Sequence, residues 1–319
     1  MTAAAPNLSP PNELADLATR LGDDYAHRRL ALEQHHRRAI TWRRKIFHIE
    51  NWYSIHGFIR HCLRLAGLHR RGQENARDIQ LRHNRFVLPN LPEAFADYRI
   101  LHLSDLHLDM DLATTRAIAA RMAGLGYDIC VMTGDYRANT FGSSDRAMEL
   151  MADLRACLQG PVYAVLGNHD SIRMVPRMEA MGIRLLMNEG LRLTRGGQTI
   201  GLAGIDDAHY FQLDDIPKAA QDIANEPVKV LLSHTPEIFN QAADNGFDAF
   251  LCGHTHGGQI CLPGGIPLIL ESRCPRFLGK GAWRYQGMQG YTSVGASTSV
   301  VNVRLNCPPE VTVHTLTRA

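Results

Sequence analysis

Seven side chains able to hold a divalent cation occur in one order along this 319-residue chain, in five short clusters. These are Asp105-Leu106-His107, Gly134-Asp135, Gly167-Asn168-His169-Asp170, His234 and Gly253-His254-Thr255-His256. Asp105, His107, Asp135, Asn168, His234, His254 and His256 make two sets of nitrogen and oxygen ligands, with one carboxylate left to be shared. A pair of metal ions about 3.5–4 Å apart is what in-line attack on a phosphate ester uses. The chemistry to expect is therefore hydrolysis of a phosphoester at two divalent cations.

Each cluster makes its own case. Asp105 and His107 are two apart on an extended stretch, so both side chains can point to one side. A carboxylate beside an imidazole suits Mn, Fe or Zn. Asp135 follows a run that reads as a buried strand, and Gly134 lets the backbone turn sharply there. As the third member of the series, Asp135 is the natural bridging carboxylate. Asn168 offers a neutral amide oxygen. His169 beside it is expected near the substrate, stabilising phosphate charge or protonating the leaving oxygen. Asp170 is expected to fix the tautomer of His169 and raise its basicity. His254 and His256 alternate on a glycine-rich loop, and His234 completes the set. Alone, any of these clusters also fits a hydrogen-bonded strand end or an Asx-type turn; the ordered series is what favours a site. No paired-cysteine spacing accompanies them, which excludes a zinc-finger reading. His27, His35, His36, His48, His56, His61, His69 and His83 lie scattered among arginines and are assigned no ligand role.

The elements that must position these residues can be read from periodicity. Strands are expected at 99–103, 128–133, 162–166, 184–187, 191–194, 199–205, 228–232 and 249–252, with a hairpin around Arg195-Gly196-Gly197. Amphipathic helices are expected at 112–125 and 144–158, and the stretch 291–316 reads as β with turns. Such alternation implies an α/β core with parallel pairing. Each ligand cluster then falls just after a strand, at the edge where open α/β sheets build their sites.

Composition adds a second region. Residues 1–99 carry 16 of the 34 Lys and Arg but only 10 of the 32 Asp and Glu, leaving the remainder acidic. A basic arm ahead of an acidic catalytic part points to an anionic surface as partner. Residues 1–12, with three prolines, read as a disordered tail, and 13–45 as a polar, charged helix. Trp52, Ile55, Phe58, Ile59, Cys62, Leu63 and Ala66 share one helical stripe, opposite Arg60, His61 and Arg64. That stripe either packs on the catalytic part or a partner subunit, or lies on anionic lipid through residues 46–71. The seven cysteines, Cys62, Cys130, Cys157, Cys252, Cys261, Cys274 and Cys307, are odd in number and favour a reducing compartment. No secretory signal or spanning segment is visible, so the expectation is a cytoplasmic protein, with the arm as a means of peripheral attachment to the inner membrane face.

Over roughly residues 98–319 the chain resembles the calcineurin-like metallophosphoesterase superfamily, with all five motifs present in order. The run Gly253-His-Thr-His-Gly-Gly-Gln-Ile260, the Gly204-Ile-Asp-Asp207 segment and the Arg304…Pro308-Pro-Glu310 ending resemble its bacterial phosphodiesterase branch, which includes UDP-2,3-diacylglucosamine pyrophosphatases. The resemblance implies a four-layer αββα sandwich of two mixed sheets, with the dimetal site at the carboxyl edge of the strands. One ion would take Asp105, His107, Asp135 and His256, the other Asp135, Asn168, His234 and His254. A metal-bridging hydroxide would attack phosphorus in line, with His169 as acid. Where the family often has a further acidic residue, this chain has Tyr136-Arg137-Ala138-Asn139, so the outer support of Asp135 differs.

The expected organisation is thus a tail over 1–12, a basic amphipathic helical extension over 13–95 and a metallophosphoesterase domain over 96–319. A phosphodiester or pyrophosphate on a nucleotide-linked lipid would account for the arm and for the 261–285 loop. That loop combines Ile266, Leu268, Ile269 and Leu270 with Arg273, Arg276 and Lys280, which with Arg137 are candidate substrate contacts. A nuclease or cyclic-nucleotide phosphodiesterase is the second enzymatic reading. The acidic catalytic part and the lack of a basic stripe with interleaved aromatics weigh against nucleic acid. A non-enzymatic scaffold would not need every ligand intact.

Overall fold

The computed structural model describes residues 14–46 and 55–318, with side chains described for 14–35, 57 and 59–318. The first sheet contains β1 (Gln80–Val87), β2 (Tyr98–Leu103), β3 (Ile129–Met132), β4 (Val162–Ala164), β5 (Ile183–Leu185) and a last strand, β14 (Glu310–Thr317). Its order is β1-β14-β2-β3-β4-β5, parallel except between β14 and β2. The second contains β6 (Glu189–Arg195), β7 (Gln198–Gly204), β8 (Lys229–Leu232), β9 (Ala249–Cys252), β12 (Gly281–Tyr285) and β13 (Met288–Thr292). Its order is β12-β13-β9-β8-β7-β6, with the two outer pairs antiparallel. Between β9 and β12, β10 (Cys261–Leu262) and β11 (Ile266–Pro267) make a small separate hairpin.

Period-two patterning stacks the layers. Along β3, Ile129 and Val131 face the second sheet while Cys130 and Met132 face the helices. Along β8 and β9, Val230, Leu232, Ala249 and Leu251 enter the inter-sheet core, and Leu231, Phe250 and Cys252 face outward. Helices α1 (Ala15–Leu21), α2 (Asp23–Ile46), α5 (Leu112–Met122), α6 (Asp145–Ala156) and α7 (Val175–Ala180) cover the first sheet. Helices α8 (Ile216–Gln221) and α9 (Phe239–Asp244) cover the second. Full burial of each large apolar side chain contributes about 1.5–3 kcal/mol, so the inter-sheet core holds the two sheets together and the outer cores hold the helices on them. The result is the expected four-layer α/β sandwich of two mixed sheets.

The N-terminal region departs from expectation in two ways. The single helix expected over 13–45 is broken at Gly22, whose φ of +99° glycine alone adopts without strain, giving α1 and α2. The expected helical extension also contains a strand: residues 80–87 form β1, paired along its whole length with β14. Its sequence, Gln80-Leu-Arg-His-Asn-Arg-Phe-Val87, is mostly polar and shows no period-two apolar alternation, so it does not read as a strand. Helix α3 (Ile55–Leu65) and α4 (His69–Asn75) lie between. Of the α3 stripe, Leu63 is buried against Val301, Val303 and Leu305, and Ile59 is partly buried there, whereas Cys62 and Ala66 are exposed. Residues 1–12 and Trp52 lie outside the described residues. No helix among the described residues is long and apolar enough to cross a membrane.

Candidate metal centre

The ends of β2, β3, β4, β8 and β9 deliver the five sequence clusters to one place. Two groups form there: Asp105, His107 and His256, and Asp135, His234 and His254, the ligand atoms within each group lying within 4.8 Å of one another. All six residues are buried. Asp135 stands between the groups, with Oδ2 3.3 Å from Nε2 of His234 and 3.8 Å from Nε2 of His107. Asn168 joins the second group, its Oδ1 3.0 Å from the same His234 nitrogen.

The backbone is contorted to achieve this. Asp105, His107, Asp135, His254 and His256 all have left-handed φ values, from +35° to +70°. Such residues cost about 1–3 kcal/mol each and concentrate where function holds them. Asp and His tolerate that region better than branched side chains do. Gly134 is required twice over: its φ is +95°, and a Cβ there would stand 2.6 Å from the Gly167 nitrogen and 2.8 Å from Nδ1 of His234.

Surrounding hydrogen bonds aim the rings. Nδ1 of His107 donates to the Arg137 carbonyl at 2.9 Å, and Nδ1 of His234 donates to the Thr133 carbonyl at 2.7 Å. Both turn Nε2 toward the cluster, the orientation a metal-bound histidine needs. Asp105 accepts from Ser104 Oγ at 2.6 Å and from the His254 amide. Burial pushes the Asp105 carboxyl up to about 6. Burial lowers His107 to about 4 and holds His254 and His256 well below the ordinary imidazole value. Asp135 is held well below the usual carboxylate range because His234 and His169 outweigh its burial. His234, against its own burial, is driven up to about 10 by Asp135.

This donor set fits a pair of divalent cations. Nδ1 of His254 faces Nε2 of His234 at 3.1 Å, and the Nε2 atoms of His107 and His256 approach to 3.3 Å. Facing imidazole nitrogens of this kind are better satisfied by a shared cation than by each other. Nε2 of His254 is also buried without a hydrogen-bond partner.

His169 sits on the open side, its side chain 20% exposed and Nε2 3.9 Å from Asp135 Oδ2, while its backbone N–H donates to Asp135 Oδ1 at 2.8 Å. The expectation that Asp170 orients His169 is corrected. The Asp170 carboxylate accepts from the backbone N–H of Asp135, Tyr136 and Gly167 at 2.7, 2.9 and 2.9 Å, so it fastens two ligand loops together. Nδ1 of His169 faces Thr140 Oγ1 instead, at 3.4 Å. Arg137, a candidate substrate contact, is buried and donates to the carbonyls of His169, Thr140 and Gly142, shaping its own loop. Arg276 and Lys280 donate to the Pro267 and Gly265 carbonyls, and the Arg273 amide donates to Glu237. Thr255 Oγ1 donates to the Gly279 carbonyl at 2.6 Å, tying that loop to the histidine motif.

Sequence reasoning gave no role to His209, Asp207 or Arg304. The His209 ring lies 4.3 Å from that of His254 and its Nδ1 bonds Glu237 at 3.0 Å. The Asp207 carboxylate accepts from the backbone N–H of His209, Tyr210 and Phe211. Arg304, fully buried, donates to the carbonyls of His256, Val294 and Ser297. The signal for Asp207 was available: like every ligand cluster, it follows a strand.

The family model of the calcineurin-like phosphoesterases matches residues 98–258, a span holding all seven candidate ligands. An uncharacterized metallophosphoesterase of Bacillus subtilis, YkoQ, is 30% identical over 223 residues, covering 67% of this chain and 82% of its own. Phosphodiesterase YaeI of Escherichia coli is 28% identical over 232 residues, covering 68% of this chain and 82% of its own. UDP-2,3-diacylglucosamine pyrophosphatase LpxG of Chlamydia trachomatis is 28% identical over 231 residues, covering 54% of this chain and 69% of its own. With the ordered ligands gathered at the strand ends and the family model matched across them, the chain belongs to the calcineurin-like phosphoesterases and is a metal-dependent phosphoester hydrolase.

Proposed function

We propose that this hydrolase cleaves phosphodiester or pyrophosphate bonds at two divalent cations, Mn, Fe or Zn. Asp105, His107, Asp135 and His256 would hold one, and Asp135, Asn168, His234 and His254 the other. The observation that carries the reading is Asp135 Oδ2, which stands between a histidine of each group. When bound, the cation pair supplies Lewis acidity toward the phosphoryl oxygens and activates water as the nucleophile. His169, partly exposed and held by its backbone to Asp135, delivers the proton to the leaving oxygen. Asp170 keeps the loops of Asp135 and Asn168 in mutual register, because one carboxylate serves amides from both.

The substrate this reading favours is a nucleotide-linked lipid at an anionic membrane surface. Its support is the 262–277 loop, where Leu262, Ile266, Leu268, Ile269 and Phe277 are exposed beside Arg273 and Arg276, and the likeness to a UDP-diacylglucosamine pyrophosphatase. The test is a screen of protein loaded with Mn, Fe or Zn against a UDP-linked diacylglucosamine, bis(p-nitrophenyl) phosphate, cyclic nucleotides and single-stranded DNA. The expected result is turnover of the diester and faster cleavage of the lipid pyrophosphate. Preferred turnover of DNA or a cyclic nucleotide would displace the lipid, and no hydrolysis of any ester would overturn the assignment.

A further inference from the structure

Helix α2 inserts a charged side chain between two loops that belong to different sheets. Arg29 has no exposed surface. Its Nε lies 3.1 Å from Asp206 Oδ2, in the loop after β7, and its Nη2 donates to the Asp170 carbonyl at 3.2 Å, in the loop after β4. The guanidinium carbon sits 3.3 Å from the Phe211 ring centroid. One turn further along, Glu33 Oε2 accepts from Ser171 Oγ at 2.6 Å and Oε1 from the Ile172 amide at 2.9 Å. Tyr25 adds a hydroxyl bond to Asp206. The loop after β4 carries Asn168 and His169, and the loop after β7 carries the Asp207 turn that sets His209 against His254.

A buried arginine is a poor device for stability alone, because its desolvation offsets most of the attraction to Asp206. Its planar fork does something an apolar residue cannot: it fixes the distance between two loops that each need their backbone placed. Displacement of a catalytic group by about 1 Å can cost ~10²-fold in rate, so such a brace acts on turnover without touching substrate.

We propose that Arg29, with Glu33, is a positioning residue of the dimetal site, and that helix α2 is its structural brace. This rests on the role given above to the Asn168–His169 loop. The test is a double-mutant cycle on the full, metal-loaded chain, using Arg29→Lys, Glu33→Ala and His169→Ala with bis(p-nitrophenyl) phosphate. Arg29→Lys keeps the charge beside Asp206 without the fork, and Glu33 lies partly exposed, so both variants leave the core packed. The expected result is a fall in kcat of ~10-fold or more for Arg29→Lys with KM little changed, and a smaller fall for Glu33→Ala. Both losses should shrink at least several-fold in a His169→Ala background, the mark of residues acting through one loop. Native kcat in both single variants, or losses of full size in the His169→Ala background, would overturn the proposal. Failure of the underlying reading shows separately, as a native chain that binds no metal or hydrolyses no ester.

Discussion

Two clusters of buried histidines lie a short distance apart, and they are built on opposite rules. His102 and His314 sit within strands β2 and β14, between the sheets. Nδ1 of His102 meets Nε2 of His314 at 3.2 Å, Nε2 of His102 bonds Thr133 Oγ1 at 2.8 Å, and Nδ1 of His314 bonds Asn84. Tyr291 packs edge-on to the His314 ring at 4.8 Å. Every ring nitrogen has a neutral partner, and the backbone is ordinary strand. At the metal centre the imidazoles leave the strand ends on left-handed backbone and surround Asp135. The lesson is that burial of histidine does not make a metal site. A charged oxygen on which several imidazoles converge does.

The largest effect that contrast predicts is at its charged member. Asp135→Asn or His254→Ala should abolish turnover of bis(p-nitrophenyl) phosphate while circular dichroism stays native; normal rates in either variant would erase the distinction between the clusters. Next, His169→Ala should keep its metal and lose ~10²–10⁴ in kcat, the usual worth of a proton donor. Loss of metal in that variant would place the ring among the ligands instead.

The neutral cluster should respond in the opposite currency. His314→Ala should leave kcat per folded molecule unchanged and lower stability by about 2–4 kcal/mol, from the cavity and the unpartnered His102 and Asn84. Urea unfolding measures it, and a fall in kcat with intact stability would contradict it. The neutral cluster also predicts a pH dependence of stability. Burial lowers His102 to about 3, below the unfolded value of 6.5. The unfolded chain therefore binds the proton first, so the stability from neutral burial is complete above about 6.5 and drains as pH falls toward 3, by about 1.4 kcal/mol per unit. His314, lowered for the same reason, adds to the slope. Denaturation midpoints of the native chain and His314→Ala across that range sharpen the comparison, because the variant should show the shallower acid slope.

The candidate ligands are legible in the sequence because a strand end is legible: a short apolar run stops, a glycine or serine follows, and a metal-type residue comes next. That rule singles out Asp105, Asp135, Asn168, His234 and His254. It said less about support. Asp170 looked like a partner of its neighbour His169, but neighbours after a strand point apart, and the carboxylate turned to three amides instead. Arg137 reads as a substrate contact, yet its three guanidinium nitrogens donate to the carbonyls of His169, Gly142 and Thr140. His102 and His314 are 212 residues apart, and only the antiparallel pairing of β2 with β14 brings them together. Strand β1 is hard to read from the sequence because it is mostly polar and only partly buried, and its partner lies at the other end of the chain.

The account turns on whether Asp135 joins two ions. Counting metal per chain by mass spectrometry, after reconstitution and desalting, is the direct measurement. Two ions in the native protein and at most one in Asp135→Asn is the predicted result; a single ion in the native protein, or two retained in the variant, would contradict it.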